Sequence, residues 1–239
     1  MPSEPGFLRF FESRVGRVLR DHHLLQNDDS ILVASICPRD GLPLLDLLHR
    51  LRRPVPPRFR LGFATTRPMG AVAAELRGDS VRAVAGAAGA EVHELTLPLG
   101  AAPGCPACRE AALEQVCRLA RTLGATAVAL PDCLDELAED VLHGLVVEGA
   151  LPSVEPVLEL PGGLRLIRPL AFSEERLVRR YARERGLAPL EAPCAPSGEA
   201  SPPPLARLLA GLGAKPARLK FNLVRAARQA AVVSRARSL

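Results

Sequence analysis

Apolar positions recur along the chain in two periods that take turns. Runs at about 31–36, 58–65, 91–97 and 125–130 read as strands; between them, apolar residues three and four apart predict helices near 42–53, 70–88, 107–123 and 134–148. A basic amphipathic helix is expected over 6–25, with Asn27, Asp28, Asp29 and Ser30 as the turn into the first strand. In the 107–123 helix, Leu113, Val116, Cys117, Ala120 and Leu123 share one face, and Gly124 suits a C-terminal cap. The segment 157–167 predicts two short strands around a turn. A helix then follows, capped by Ser173, packed through Leu177, Val178 and Tyr181, and ended by Gly186. The alternation as a whole predicts an α/β fold: a mainly parallel, Rossmann-like sheet of about five strands with helices on both faces.

Residues 189–204 hold six prolines and read as a linker. Beyond them Leu205, Leu208, Leu209 and Leu212 stand at helical spacing, so the chain divides into an α/β domain over 1–188, the linker, and a basic helical extension over 205–239. With 239 residues and 48% apolar content, one sizeable core is expected. No run approaches the roughly 20 apolar residues of a membrane span, and a cytoplasmic protein is expected. The net charge of +5 matters less than its placement. From Lys215 onward the chain carries Lys215, Arg218, Lys220, Arg225, Arg228, Arg235 and Arg237 without one acidic residue, a tail that suits a phosphate backbone or, equally, a solvated helix.

In an open parallel sheet, ligands sit beyond the carboxyl ends of the strands, where the strand order reverses. Two loops qualify and should lie side by side: 36–41 and 131–136. The first, led by Ser35 and running through Ile36, Cys37, Pro38, Arg39, Asp40 and Gly41, sits where α/β enzymes cradle phosphate on backbone N–H groups. Pro38 lacks that donor, and Ile36 and Cys37 crowd the cradle. In the second loop Asp135 and Glu136 could hold Mg²⁺; Asp132 as an N-cap with two acids in the first turn is the plainer account. Cys105 and Cys108 form a CxxC at a turn entering a helix, with Cys194 the natural third thiol of a metal, cluster or redox site, whereas Cys117 reads as core.

Several segments together resemble the tRNA 2-thiocytidine synthetases, a branch of the PP-loop ATP pyrophosphatases with the adenine-nucleotide alpha-hydrolase-like fold. They run collinearly from Arg14–Leu25 through the first strand and Leu44–Leu48, then 105–109, 123–130, Ile167–Phe172 with Glu174 and Glu175, and Pro193 with Cys194. The family's SGGKDS falls on 36–41, where Asp40 is kept and Arg39 stands for the lysine; its GHHxDD falls on 131–136, where Asp135 is kept and Glu136 is conservative. The resemblance implies adenylation of a tRNA cytidine with ATP and Mg²⁺, then sulfur transfer assisted by a 4Fe–4S cluster. Asp40 and Asp135 would be catalytic; Ser35, Ile36, Cys37, Arg39, Asp40, Gly41, Asp135 and Glu136 would line the cofactor site; Cys105, Cys108 and Cys194 would hold the metal. Arg168, Lys215, Arg218, Lys220, Arg225 and Arg228 would contact tRNA.

Three functions follow from this reading. One is a divergent ATP-dependent tRNA sulfurtransferase. Another is a non-catalytic relative, a pseudoenzyme that keeps RNA or protein binding. The third is an iron–sulfur or metal-binding redox protein on the same scaffold. A homodimer fits any of them.

Overall fold

A computed structural model describes residues 5–36, 40–52, 58–68, 75–97, 106–187 and 216–236. In chain order the elements are α1 (Pro5–Asp21), β1 (Asp29–Ser35), α2 (Leu42–Leu51), β2 (Phe59–Pro68), α3 (Glu75–Ala88), β3 (Glu91–Leu97), α4 (Pro106–Thr122), β4 (Ala127–Ala129) and α5 (Leu134–His143). A π-helical turn (Gly144–Glu148) extends α5, and β5 (Val157–Glu159), β6 (Arg165–Ile167), α6 (Glu175–Glu184) and α7 (Pro216–Ala236) complete the set.

The strands form one sheet in the order β3-β2-β1-β4-β6-β5, parallel except for the β5–β6 hairpin. Both hairpin arms join the sheet, which gives six strands rather than about five. Alternation along β1 sends Ile31 and Val33 to one face, against Leu44, Leu47 and Phe63, and Leu32 and Ala34 to the other, against Ala112, Val116 and Ala120 of α4. This is the two-sided burial that a parallel strand needs. The order reverses between β1 and β4, where Val33 pairs with both Phe63 and Ala129. Loops 36–41 and 131–136 therefore leave neighbouring strands at the same sheet edge, as the alternation predicted. Among the described residues no helix is long and apolar enough to cross a membrane.

Gly124 and Gly186 end α4 and α6 at φ +65° and +66°, the left-handed conformation expected of each. Three local expectations are corrected. Helix α1 stops at Asp21 because His23 turns to φ 50° and Leu24 hands its N–H back to Leu19 O at 2.9 Å. Leu123 lies past the end of α4 and is 43% exposed instead of buried. Ser173 is not the cap of α6: it is fully buried with its hydroxyl unpartnered, and Glu174 precedes the first turn.

Two buried ionic hubs fasten the layers. At the amino ends of the strands, Arg165 meets Asp29 at 2.5 Å while Thr126 Oγ1 donates to the same carboxylate at 2.6 Å, joining β1 to β6. On the α2 face, Asp46 accepts from Tyr181 Oη at 2.6 Å and from both forks of Arg185 at 3.0 and 3.2 Å, joining α2 to α6.

Candidate functional site

The turn after β1 folds back tightly on the strand. The Ser35 hydroxyl accepts the Gly41 N–H at 3.1 Å, and Asp40 Oδ1 accepts the Leu42 N–H at 2.8 Å, an Asx turn that caps α2 from within. A Cβ at Gly41 would meet Ala34 O at 2.4 Å, so only glycine permits this approach. Pro43 follows in the first turn and has no N–H to give. Ile36 is buried in the core beneath α4. Cys37, Pro38 and Arg39 lie outside the described residues. Of the donors that a phosphate would seek at this helix start, those of Gly41 and Leu42 are already taken.

The loop after β4 is likewise satisfied by the protein. Asp132, 2% exposed, lies between Arg168 Nε at 3.0 Å and Arg109 Nη2 at 3.2 Å; Arg109 also pairs with Asp140 at 2.5 Å. Asp132 is thus an ionic hub rather than the N-cap. That place falls to Cys133, whose N–H donates to Glu136 Oε2 at 2.6 Å. Asp135 links three helices: Oδ2 accepts the Glu175 N–H at 2.8 Å, so Asp135 caps α6 in the place expected of Ser173, and Oδ1 pairs with Lys220 of α7 at 2.5 Å. The described carboxylates of this loop are each engaged by protein donors. Mg²⁺ does not fit between Asp135 and Glu136 unless Lys220 is displaced.

The Cys133 thiol is buried, and that burial pushes its pKa far above the ordinary range, ahead of the nearby Glu136 and Asp135 charges. It packs in the core. Cys117 is buried as expected. Cys108 lies in the first turn of α4, next to the Arg109 that ties this turn to Asp132, which brings that end of the CxxC to the edge of the two loops. Cys105 and Cys194 lie outside the described residues. Among the described residues, no group of three His, Cys, Asp or Glu side chains is arranged to hold a metal ion.

The residues expected at RNA divide into different roles. Arg168 is 6% exposed and committed to Asp132 and to Glu155 O at 2.7 Å. Lys220 is spent on Asp135, and Arg228 pairs with Glu155 at 3.0 Å and lies 5.4 Å over the Phe172 ring. His22 stacks on the same ring at 5.1 Å, and its pKa is lowered by burial and then by the Arg228 charge. Arg218 and Arg225 are exposed; Lys215 lies outside the described residues.

The chain is similar in sequence to known proteins. A tRNA-cytidine(32) 2-sulfurtransferase of Geobacter metallireducens is 30% identical over 198 residues, covering 79% of this chain and 76% of the relative. Its counterpart from Anaeromyxobacter dehalogenans is 33% identical over 226 residues, covering 87% and 74%. This chain belongs to the tRNA-cytidine(32) 2-sulfurtransferase family. No protein-family model matches it. A solved structure, the U34-tRNA thiolase NcsA from Methanococcus maripaludis with its [4Fe-4S] cluster, superposes with a TM-score of 0.75 over 95% of this chain and 80% of that one. At 18% identity this likeness shows the fold alone.

Sequence reasoning missed three partners of the sulfurtransferase scaffold: Arg109, Glu155 and the Asp132 hub. Their signal was faint but present. Asp132 stands between Pro131 and Cys133 in a buried stretch, and a carboxylate in such surroundings needs a cation.

Proposed function

We propose that this chain is a tRNA-binding member of the 2-thiolation family in which the ATP-dependent activation step is weakened or lost. The observation that carries the reading is that the described donors and carboxylates flanking both loops at the switch point have partners within the protein. Gly41 and Leu42 give their N–H groups to Ser35 and Asp40, and Asp135 is held by Lys220 and by the start of α6. An adenylating enzyme must stabilise a pyrophosphate leaving group with preorganised donors and a cation. Binding ATP here requires breaking these hydrogen bonds before new ones form, at roughly 0.5–1.5 kcal/mol for the neutral Gly41–Ser35 bond and roughly 1.5–3 kcal/mol for each bond to a carboxylate.

The cluster belongs to the same reading. Cys105, Cys108 and Cys194 would hold it, and the Arg109–Asp132 pair keeps the start of α4 beside the β4–α5 loop, where transferred sulfur would be needed. When bound, such a group supplies sulfur-carrying chemistry. Arg39, Asp40 and Asp135 remain the residues through which any residual nucleotide binding would run.

Titration calorimetry with ATP and Mg²⁺, alongside pyrophosphate release in the presence of tRNA, tests the proposal. No binding at micromolar ATP and no tRNA-stimulated pyrophosphate release are expected, while tRNA itself binds. Micromolar ATP affinity with turnover would return the chain to the active sulfurtransferases. Iron analysis of anaerobically purified protein, with and without Cys105→Ala, tests the cluster; iron content unaffected by that change would remove it.

A further inference from the structure

We propose that the solvent face of α7 is an RNA-contact surface on which Arg218 and Arg225 hold phosphates and Phe221 stacks on an unpaired base, while Lys220 and Arg228 only pin the helix. It rests on the tRNA-binding reading above and names the surface which that reading needs.

Helix α7 carries Arg218, Lys220, Arg225, Arg228 and Arg235 and no acidic residue. Its inner face is apolar: Val224 and Ala227 are buried, with Leu219 and Leu223 beside them, against Leu134, Leu137, Ala138 and Val141 of α5. Lys220 lies within this face and Arg228 at its edge, and they are consumed by Asp135 and Glu155. These two ion pairs fix the rotation of the helix, and the rotation decides what faces outward.

At about 100° per residue, Arg218, Asn222, Arg225 and Gln229 fall within a stripe about 60° wide on the side opposite α5. All four are exposed. Among the described residues neither arginine makes an ion pair. Phe221 borders the stripe with 44% of its surface exposed. A lone exposed aromatic is ordinary on a protein surface. One set between two unneutralised arginines and two side-chain amides is different, because it combines the elements by which proteins hold single-stranded RNA: cations for the backbone, a ring for a splayed base, and amides for base edges. Its position agrees. Phe221 follows Lys220, whose ammonium touches Asp135, so it lies on the stretch of α7 that is tied to the start of α5.

The test is equilibrium binding of a labelled anticodon stem–loop and of a blunt duplex of the same length over a range of salt, with Arg218→Gln/Arg225→Gln and Phe221→Leu variants of the full chain. Thermal melts should match the parent for both variants, since the altered side chains are exposed. The double arginine variant should bind both RNAs at least tenfold more weakly and lower the salt slope by roughly 1.5–2, as loss of two phosphate contacts requires. Phe221→Leu should lose about fivefold or more on the stem–loop and little on the duplex. A parent that binds RNA while both variants bind it equally well would overturn this surface and leave tRNA binding intact elsewhere. A parent that binds neither RNA would overturn the functional reading as well. Loss of affinity for polyglutamate alone, with RNA binding kept, would assign the face to an acidic protein and overturn the proposal.

Discussion

Asp132→Asn is the most informative single change, because it removes one charge from the centre of the candidate site and keeps the shape. In the native protein, Asp132 faces Arg168 at 3.0 Å and Arg109 at 3.2 Å, with side-chain exposures of 3%, 7% and 30%. Arg109 retains Asp140 after the substitution. Arg168 retains only the Glu155 carbonyl, so one buried guanidinium loses its counter-charge. Breaking a buried pair from one side costs about 3–5 kcal/mol; with one of the two arginines still paired, the lower end, ~3 kcal/mol, applies. For a chain of this size that corresponds to a fall in Tm of roughly 6–12 °C. Circular dichroism melts with and without Mg²⁺ provide the assay. Adding Arg168→Met should recover part of the loss, since it removes the orphaned buried charge and keeps a side chain of similar length. If Asp132 were instead waiting for a cation, Asp132→Asn would melt within about 2 °C of the parent, and Mg²⁺ would stabilise the parent alone; that result would refute the hub.

Tyr181→Phe removes the hydroxyl that reaches Asp46 at 2.6 Å in a fully buried position, and should lower stability by about 1.5–3 kcal/mol in urea without changing the m-value; an effect under about 0.5 kcal/mol would show that the Arg185 and Arg50 contacts satisfy Asp46 without it. His22 is predicted to make the docking of α1 and α7 around Phe172 sensitive to acid. Burial and Arg228 hold its folded pKa below the unfolded value of about 6.5, so its contribution is full above that pH and is lost as pH falls through the folded value. Urea stability of the parent should decline from about pH 7.5 to about pH 5 more steeply than that of His22→Gln; parallel declines would assign the acid sensitivity elsewhere.

What was legible in the sequence was whatever repeats. Period-2 and period-3.6 patterns located β1, β3, α2 and α4 to within a few residues, and the glycines at 124 and 186 sit where left-handed caps are required. The loops at the switch point could also be placed, because each follows a strand. The ionic wiring could not. Asp132 finds Arg109 and Arg168 23 and 36 residues away, and Asp135 finds Lys220 85 residues away across the linker. No period marks such pairings; they depend on how α4, α6 and α7 settle onto the sheet edge. Ser173 shows the same limit from the other side. A serine before a helix is a sound cap by rule, yet a carboxylate brought in from α5 took the position.

The described groups of the two loops differ in chemistry but are alike in being satisfied by the protein, and on the reading proposed above this bears on how a nucleotide site is lost. A working site keeps donors and carboxylates under-satisfied in the empty protein, which lowers stability in exchange for binding. Here Ser35 and Asp40 satisfy the phosphate side, while Lys220 satisfies the cation side. Each substitution of a protein partner for a ligand stabilises the fold locally and makes the other half of the site useless by itself. Reversal is therefore not a single step. Lys220→Met would free one Asp135 oxygen but leave the Gly41 and Leu42 donors occupied; replacing Pro38 with glycine would add a donor to a loop that still has no cation opposite it. On the proposed reading, tight ATP binding requires both loops to be opened together. The arginines and phenylalanine on the outer face of α7 depend on neither loop being open, only on the Lys220 and Arg228 pins, so the proposed RNA contact does not require nucleotide chemistry.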